Sequence, residues 1–131
     1  MNSDQLLAAL PQAGVEVRDA LERFMGNELL YLSFLRRLPQ AMDLSGIRQA
    51  LRDGREEEFY AKVHSLKGMA GNLSVRPLFQ RTQLLLEEYR AHGLNRPGRL
   101  EELLGELDAA AAPLTELLAQ YEASSAEGGR L

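Results

Sequence analysis

The sequence predicts an all-α protein, an antiparallel up-down-up-down four-helix bundle preceded by short N-terminal lid helices. First, apolar residues recur at spacings of three and four along most of the chain. Second, the composition is 45% hydrophobic but contains no Trp and only four Phe and four Tyr, which favours leucine-rich helices packed on helices. Third, the links between the four later segments are short, so neighbouring helices should run antiparallel.

One domain is expected, because 131 residues can build one sizeable core but not two. The helical domain should span residues 1–123, with lid helices at about 4–38 and the bundle at about 40–123. The small, polar and glycine-rich segment 124–131 is predicted to be a flexible tail.

The predicted lid contains three helices. The first covers residues 4–10, with Ser3 as its N-cap, and the second covers 15–25 and is closed by Gly26. Asn27 is predicted to cap the third, which continues to about residue 38.

The four bundle helices follow in order. The first begins near residue 40 and ends at 53, and the second covers 56–74, where three glutamates complement the positive end of the helix dipole. The third begins around residue 76, with Pro77 in its first turn, and ends at His92 and Gly93. The fourth carries an apolar face from Leu100 to Tyr121, and Pro113 is expected to kink or interrupt it.

Composition excludes several functional classes. A formal net charge of −4 argues against a nucleic-acid-binding module, which needs a basic surface. The absence of Cys excludes disulfides, thiolate metal sites and cysteine nucleophiles. Residues 6–10 form an apolar segment, but it has no basic residue before it and Pro11 ends it after five residues, so it is neither a signal peptide nor a membrane span. A cytoplasmic location is therefore expected by elimination.

His64 is the main candidate for chemistry. On the helix predicted for 56–74 one apolar stripe recurs at spacings of four, three, four and three, formed by Phe59, Val63, Leu66, Ala70 and Leu73. At about 100° per residue, His64 lies about 140° from the middle of this stripe and is predicted to face solvent. The other histidine, His92, is predicted to help end its helix.

The residues around His64 favour a phosphoryl acceptor. Gly68 and Gly71 share its face and would leave a bare surface on which a partner protein could settle. Lys67 would supply a nearby positive charge for phosphate oxygens, while an imidazole is largely neutral and nucleophilic near pH 7. The same residues also fit an ordinary surface histidine, and Tyr60 fits a boundary aromatic or a neighbour of the imidazole, so spacing alone leaves these alternatives open.

The run from His64 to Leu73, HSLKGMAGNL, resembles the signature of the histidine-containing phosphotransfer (HPt) domain family. Segments 26–31 and 47–54 also resemble family segments, and the resemblance covers roughly residues 6–121. The chain departs from the pattern at Ser74, where the family usually has glycine, and at Leu86, where it often has Glu or Gln. Gln83, one turn before Leu86, is the predicted polar substitute.

The resemblance implies a phosphotransfer protein of a multistep phosphorelay. His64 would accept a phosphoryl group from a receiver-domain aspartate and pass it to another receiver. Lys67 would stabilise the charge of the phosphoryl group, and Gly68 would give the partner access. Gln83 would make a weaker polar contact from outside the residues that touch the phosphoryl group.

The same resemblance implies no kinase activity, no cofactor and no metal of the protein's own, with Mg²⁺ supplied by the partner receiver domain. The implied partners are response regulator receiver domains and a hybrid sensor histidine kinase, and a monomer is expected. Two alternatives stay open: a non-catalytic helical adaptor, and a phosphatase-like helper that binds receivers without being phosphorylated.

Overall fold

Eight α-helices account for most of the chain in the computed structural model, which describes residues 1–128, with side chains through residue 124. Their bounds are α1 Ser3–Ala9, α2 Val17–Arg23, α3 Glu28–Leu35, α4 Leu38–Ala41, α5 Leu44–Arg52, α6 Glu56–Asn72, α7 Arg76–His92 and α8 Pro97–Gly128. A short 3₁₀ turn, Leu10–Ala13, follows α1. The described residues contain no β-strand, only an isolated bridge between Val15 and Val75, so the all-α prediction is confirmed.

Helices α5, α6, α7 and α8, called here the four-helix group, enclose most of the core. Each contacts the next along the chain, and α5 also contacts α8. The predicted stripe of α6 faces inward, with Phe59, Val63, Leu66 and Ala70 all buried. Full burial of one such large apolar side chain stabilises the fold by about 1.5–3 kcal/mol, so this stripe fixes which face of α6 remains outside.

The first helix begins one residue earlier than predicted. Asn2, not Ser3, is its N-cap, because the Asn2 carboxamide accepts from the Gln5 backbone N–H at 2.8 Å and the Gln5 side chain accepts from the Asn2 N–H at 2.8 Å. The Ser3 hydroxyl instead lies 3.0 Å from the hydroxyl of Tyr121, which ties α1 to α8.

The helix predicted for residues 40–53 is divided in two. Asp43 lies in the left-handed region at φ +47°, and its carboxylate accepts from the Gly46 N–H at 3.2 Å to start α5. A Cβ atom at residue 46 would collide with that carboxylate, so glycine is required for this cap. The sequence prediction missed the break because Pro39 offered an apparently better start.

The last helix is longer than predicted. Pro113 lies inside α8 without interrupting it, because buried residues flank it on both sides, among them Ala111 and Leu114. The helix continues to Gly128, so residues 124–128 are helical where the sequence predicts a tail, and residues 129–131 lie outside the described part. No helix within the described residues is both long and apolar enough to cross a membrane.

The N-terminal segment is joined to the turn between α6 and α7. The Glu16 N–H donates to the Ser74 carbonyl at 2.9 Å, and the Arg76 N–H donates to the Gly14 carbonyl at 3.2 Å. From α3, the buried Tyr31 hydroxyl donates to the Leu73 carbonyl at 2.8 Å. These bonds fix the C-terminal end of α6, the helix that carries His64.

Candidate functional site

His64 lies in the middle of α6 with its side chain exposed, on the face opposite the buried stripe. Its ring stacks on Tyr60, one turn earlier, with ring centroids 5.7 Å apart and planes inclined by 16°. Tyr60 in turn packs against Tyr89 of α7, with centroids 5.4 Å apart. The aromatic support therefore comes from one side, and the rest of the imidazole is accessible.

Lys67 lies beside His64 with its ammonium over the ring of Phe79, 5.4 Å from the ring centroid. A cation over an aromatic face is stabilised by about 0.5–1 kcal/mol at exposed sites, which is enough to bias the lysine toward this position without burying its charge. Phe79 belongs to the first turn of α7, so the packing of α6 on α7 helps to place the charge. Sequence reasoning missed Phe79; its place next to the buried Leu78 was the only available sign of a boundary aromatic.

The two glycines of α6 differ in their surroundings. A Cβ atom at Gly68 would meet no atom of the described residues within 4 Å, so no contact among them requires glycine there. A Cβ atom at Gly71 would lie 3.4 Å from the Phe79 ring, in ordinary contact distance. The bare surface at Gly68 is thus open to solvent. That it gives access to a partner stays a prediction.

An open cavity of about 310 Å³ joins these features. It is lined by Arg23, His64, Lys67, Gly68, Gly71, Asn72 and Phe79. We call it the His64 cavity. It brings together three of the four residues that the sequence analysis singled out, and the fourth, Gln83, is not among its lining residues.

Gln83 is exposed on α7 and lines an adjoining cavity instead. Its amide nitrogen lies 3.4 Å from a carboxylate oxygen of Glu87, one turn later on the same helix. The neighbouring Leu86 is fully buried, so the apolar departure from the family pattern serves the core. A contact between Gln83 and a group on His64 stays a prediction.

Arg23 of α2 is a second residue of the His64 cavity that sequence reasoning missed. Its Nη1 donates to the Gly71 carbonyl at 2.9 Å and to the Ser74 hydroxyl at 2.6 Å, and its Nη2 lies 3.1 Å from the Asp19 carboxylate. Asp19 is one turn earlier on the same helix, but Gly71 and Ser74 lie about fifty residues away in sequence, and no local pattern could have indicated those two contacts.

Ser74 explains the first departure from the family pattern. It lies at φ +56°, in the left-handed region that glycine adopts without strain, at a cost of about 1–2 kcal/mol for a serine. Its buried hydroxyl donates to Asp19 at 2.7 Å while accepting from Arg23. The end of α6 thus keeps a glycine-like turn, and the hydroxyl offsets the strain by holding α2 in place.

An apolar groove of about 570 Å³ borders the His64 cavity, and the two share Arg23 and Asn72. Its other lining residues are Phe24, Phe34, Arg37, Leu38, Ala41, Met69 and Leu73. Two further apolar side chains are prominently exposed in the adjacent segment of the chain, Met25 at 94% and Leu29 at 72%. Such exposure of large apolar side chains near one groove is typical of a surface that binds another protein.

Searches of curated proteins and of solved structures find no match. Within the part of the chain that the structure describes, no group of three or more His, Asp and Glu side chains is arranged so that it could hold a metal ion. A family model described as Hpt domain matches residues 31–126, which is well over half of the chain. That family performs histidine phosphotransfer in two-component phosphorelays and interacts with receiver domains. The chain therefore belongs to the Hpt domain family, as its motif had indicated.

Proposed function

We propose that His64 is the phosphoacceptor of this chain, taking a phosphoryl group from the aspartate of one receiver domain and passing it to the aspartate of another. The observation that supports this most directly is the exposed imidazole, stacked on Tyr60 and sharing one cavity with Lys67 and the open surface at Gly68. The other histidine, His92, is half-buried in the last turn of α7 and has no comparable surroundings.

The chemical step is an exchange of one bond for another. The unprotonated ring nitrogen of His64 attacks phosphorus, a P–N bond forms, and the P–O bond to the partner's aspartate breaks with the electron pair leaving on the carboxylate. The phosphorylated ring keeps the proton on its other nitrogen. Attack by a second receiver's carboxylate reverses these changes, so no external acid, oxidant or nucleotide is needed.

Lys67 and Gly68 support this step in different ways. The Lys67 ammonium would shift from Phe79 toward the phosphoryl oxygens and stabilise their charge through a charge-assisted contact. The missing side chain at Gly68 lets the partner's loops approach α6 closely enough for in-line attack. Mg²⁺ belongs to the receiver domain in this proposal and needs no ligand from this chain.

The apolar groove and the neighbouring side chains Met25 and Leu29 would dock a receiver domain, whose own apolar face would cover them. The continuity of the groove with the His64 cavity supports this choice, because one docked partner would then cover both. A hybrid sensor histidine kinase is one proposed source of such a receiver. We further propose a cytoplasmic monomer as the working form, since a single exposed histidine can serve each receiver in turn.

We also take the four-helix group to be the antiparallel up-down-up-down bundle, with the shorter helices α1 to α4 as its lid. The links that join α5 to α6 and α6 to α7 are each only three residues long, which supports opposite directions for consecutive helices.

The test is transfer of radioactive phosphoryl label from phosphorylated receiver domains of the same cell. We expect label on the wild-type chain that is stable in base and lost in acid, as for phosphohistidine. His64→Ala should abolish the label, and the matched variant His92→Ala, which removes the other histidine, should keep it. Both should retain the helical circular dichroism of the wild type, because neither side chain is part of the core.

Three outcomes would contradict the proposal. Label that persists in His64→Ala places the acceptor elsewhere. Binding of a receiver without any label on the wild type supports an adaptor, and accelerated loss of label from the receiver without transfer supports a phosphatase-like helper.

A further inference from the structure

We propose that Arg23 is a partner-binding residue, whose guanidinium binds a carboxylate of the receiver partner next to the His64 cavity. The inference rests on the proposed function, since it names a contact of the same partner. Arg23 lines the His64 cavity, the apolar groove and the cavity that contains Gln83, so its guanidinium lies where these three surfaces meet. A partner that covers His64 and the groove together must also cover Arg23.

The guanidinium is held in place before any partner arrives. One nitrogen donates to the Gly71 carbonyl and the Ser74 hydroxyl, and the other terminal nitrogen faces Asp19. Its side chain is nevertheless 46% exposed, and a guanidinium has five N–H donors, so donors remain for a second carboxylate. An arginine fixed in this way loses little side-chain entropy on binding.

The charge of the site favours an anionic partner group. The chain carries a net charge of −4, yet the described residues that line the His64 cavity include the two cations Arg23 and Lys67 and no carboxylate. Asp19 compensates Arg23 from the side of the adjoining cavity. The proposed partner presents an acceptor aspartate, so a positive region around His64 reduces like-charge repulsion between an acidic protein and an acidic site.

Arg23 is a binding residue and not a catalytic one. It bonds to the carbonyl of Gly71, which lies two helical turns after His64, about 10 Å along the axis of α6. Side chains on a helix lean toward its N-terminus, which takes the imidazole still further from this point. Removal of the charge should therefore weaken the binding of the receiver and leave the rate of phosphoryl transfer within the bound complex unaltered.

The experiment measures label transfer against the concentration of the phosphorylated receiver that labels the wild type best. In Arg23→Met the aliphatic stem is kept and the charge is lost, and we expect the half-saturating receiver concentration to rise about 3- to 10-fold with an unchanged rate at saturation. Arg18→Met is the matched control, because it removes the same charge from an exposed position of the same helix. Arg18→Met should behave as the wild type, and Arg23→Lys should recover part of the lost affinity.

A double-mutant cycle tests whether Ser74 acts through Arg23. Ser74→Ala removes one of the two acceptors of Nη1 and leaves the Gly71 carbonyl as the other. It should raise the half-saturating concentration on its own, but it should add nothing in the Arg23→Met background. Thermal unfolding of each variant is followed in parallel. If Ser74 had a purely structural role, Ser74→Ala would lower the midpoint of thermal unfolding, and its effect on the half-saturating concentration would be the same with and without Arg23.

Equal half-saturating concentrations for Arg23→Met, Arg18→Met and the wild type would overturn the inference while leaving His64 as the acceptor. A lower rate at saturation in Arg23→Met would also overturn it, because Arg23 would then act on the transfer step. Failure of the proposed function shows differently, as absence of label on the wild type itself.

Discussion

At the scale of single residues, the site is built from ordinary side chains whose neighbours are unusual. His64 is exposed, yet its ring is fixed on one side by Tyr60. Lys67 is charged and accessible, yet it is held over Phe79. Each group is therefore oriented without being removed from water, which fits the proposed transfer between two receiver domains.

Lys67 provides a direct test at this scale. Lys67→Ala should slow acceptance of label about ten-fold, equivalent to about 1.4 kcal/mol, because one positive charge near the phosphoryl oxygens is lost. Lys62→Ala is the matched control on the same helix. Its ammonium lies 2.6 Å from the Asp43 carboxylate, an interaction that raises the pKa of Lys62 and lowers that of Asp43.

The rate of label transfer at saturating receiver separates the two variants. Lys62→Ala should transfer at the wild-type rate, since its charge is already paired away from His64. Equal slowing of both variants would mean that general loss of charge, and not the position of Lys67, controls the reaction.

At the scale of elements, α6 combines a core-forming face with a face kept free of bulk. Its inner side is fully buried at Phe59, Val63, Leu66 and Ala70, so the helix tolerates two internal glycines on the outer side. A glycine inside a helix costs about 1 kcal/mol relative to alanine, and this packing compensates for it.

Gly68→Gln separates stability from function in this helix. Because a Cβ atom at Gly68 would meet no atom of the described residues within 4 Å, the longer side chain should fit and stabilise α6 by about 0.5 kcal/mol while slowing transfer by blocking the partner. Gly105→Gln is the matched control, since Gly105 is an exposed glycine inside α8 that is equally free of neighbours. Urea unfolding should show both variants at least as stable as the wild type, and full transfer by Gly68→Gln would contradict the role of the bare surface.

Local periodicity was sufficient to predict the main helices and the orientation of His64. The helix predicted for 56–74 is found at Glu56–Asn72, and the apolar positions proposed for it are buried. The break before α5 was not predicted, because it depends on Asp43 adopting a left-handed conformation and capping Gly46. Both features depend on the conformation and hydrogen bond of one side chain, which a hydrophobic pattern does not predict.

The contacts of Arg23 could not be predicted for a different reason. They join α2 to the end of α6 across about fifty residues of sequence, and the arginine itself looks like any surface charge. Ser74 was visible in the sequence as a departure from the family pattern, but its bonds to Asp19 and Arg23 depend on tertiary packing.

At the scale of the whole molecule, Tyr31 connects the N-terminal helices to the four-helix group. It is fully buried, its hydroxyl donates to Leu73, and its ring packs edge-on against Phe24 at 5.4 Å. Burial raises the pKa of Tyr31 far above its ordinary value of 10.0. The folded protein therefore retains a proton that the unfolded chain releases in alkali.

Tyr31→Phe should consequently change how stability depends on pH. Near neutrality the variant should be less stable by about 1 kcal/mol, because the Leu73 carbonyl loses its buried donor. The contribution of the tyrosine proton is complete below pH 10 and declines as the pH rises above it, so the gap between wild type and variant should narrow there. Urea unfolding from pH 8 to about pH 11 measures this gap, and a constant gap would show that Tyr31 ionises alike in both states.

The bridge between Val15 and Val75 has a practical consequence for where this domain begins. The family match starts at residue 31, yet Leu6, Leu10, Val15 and Ala20 are all buried in the common interior. A fragment cut at the family boundary would keep His64 but lose these buried side chains, and it would leave the Ser74 hydroxyl without both of its partners. Expression boundaries for this protein should follow its packing and include the first thirty residues.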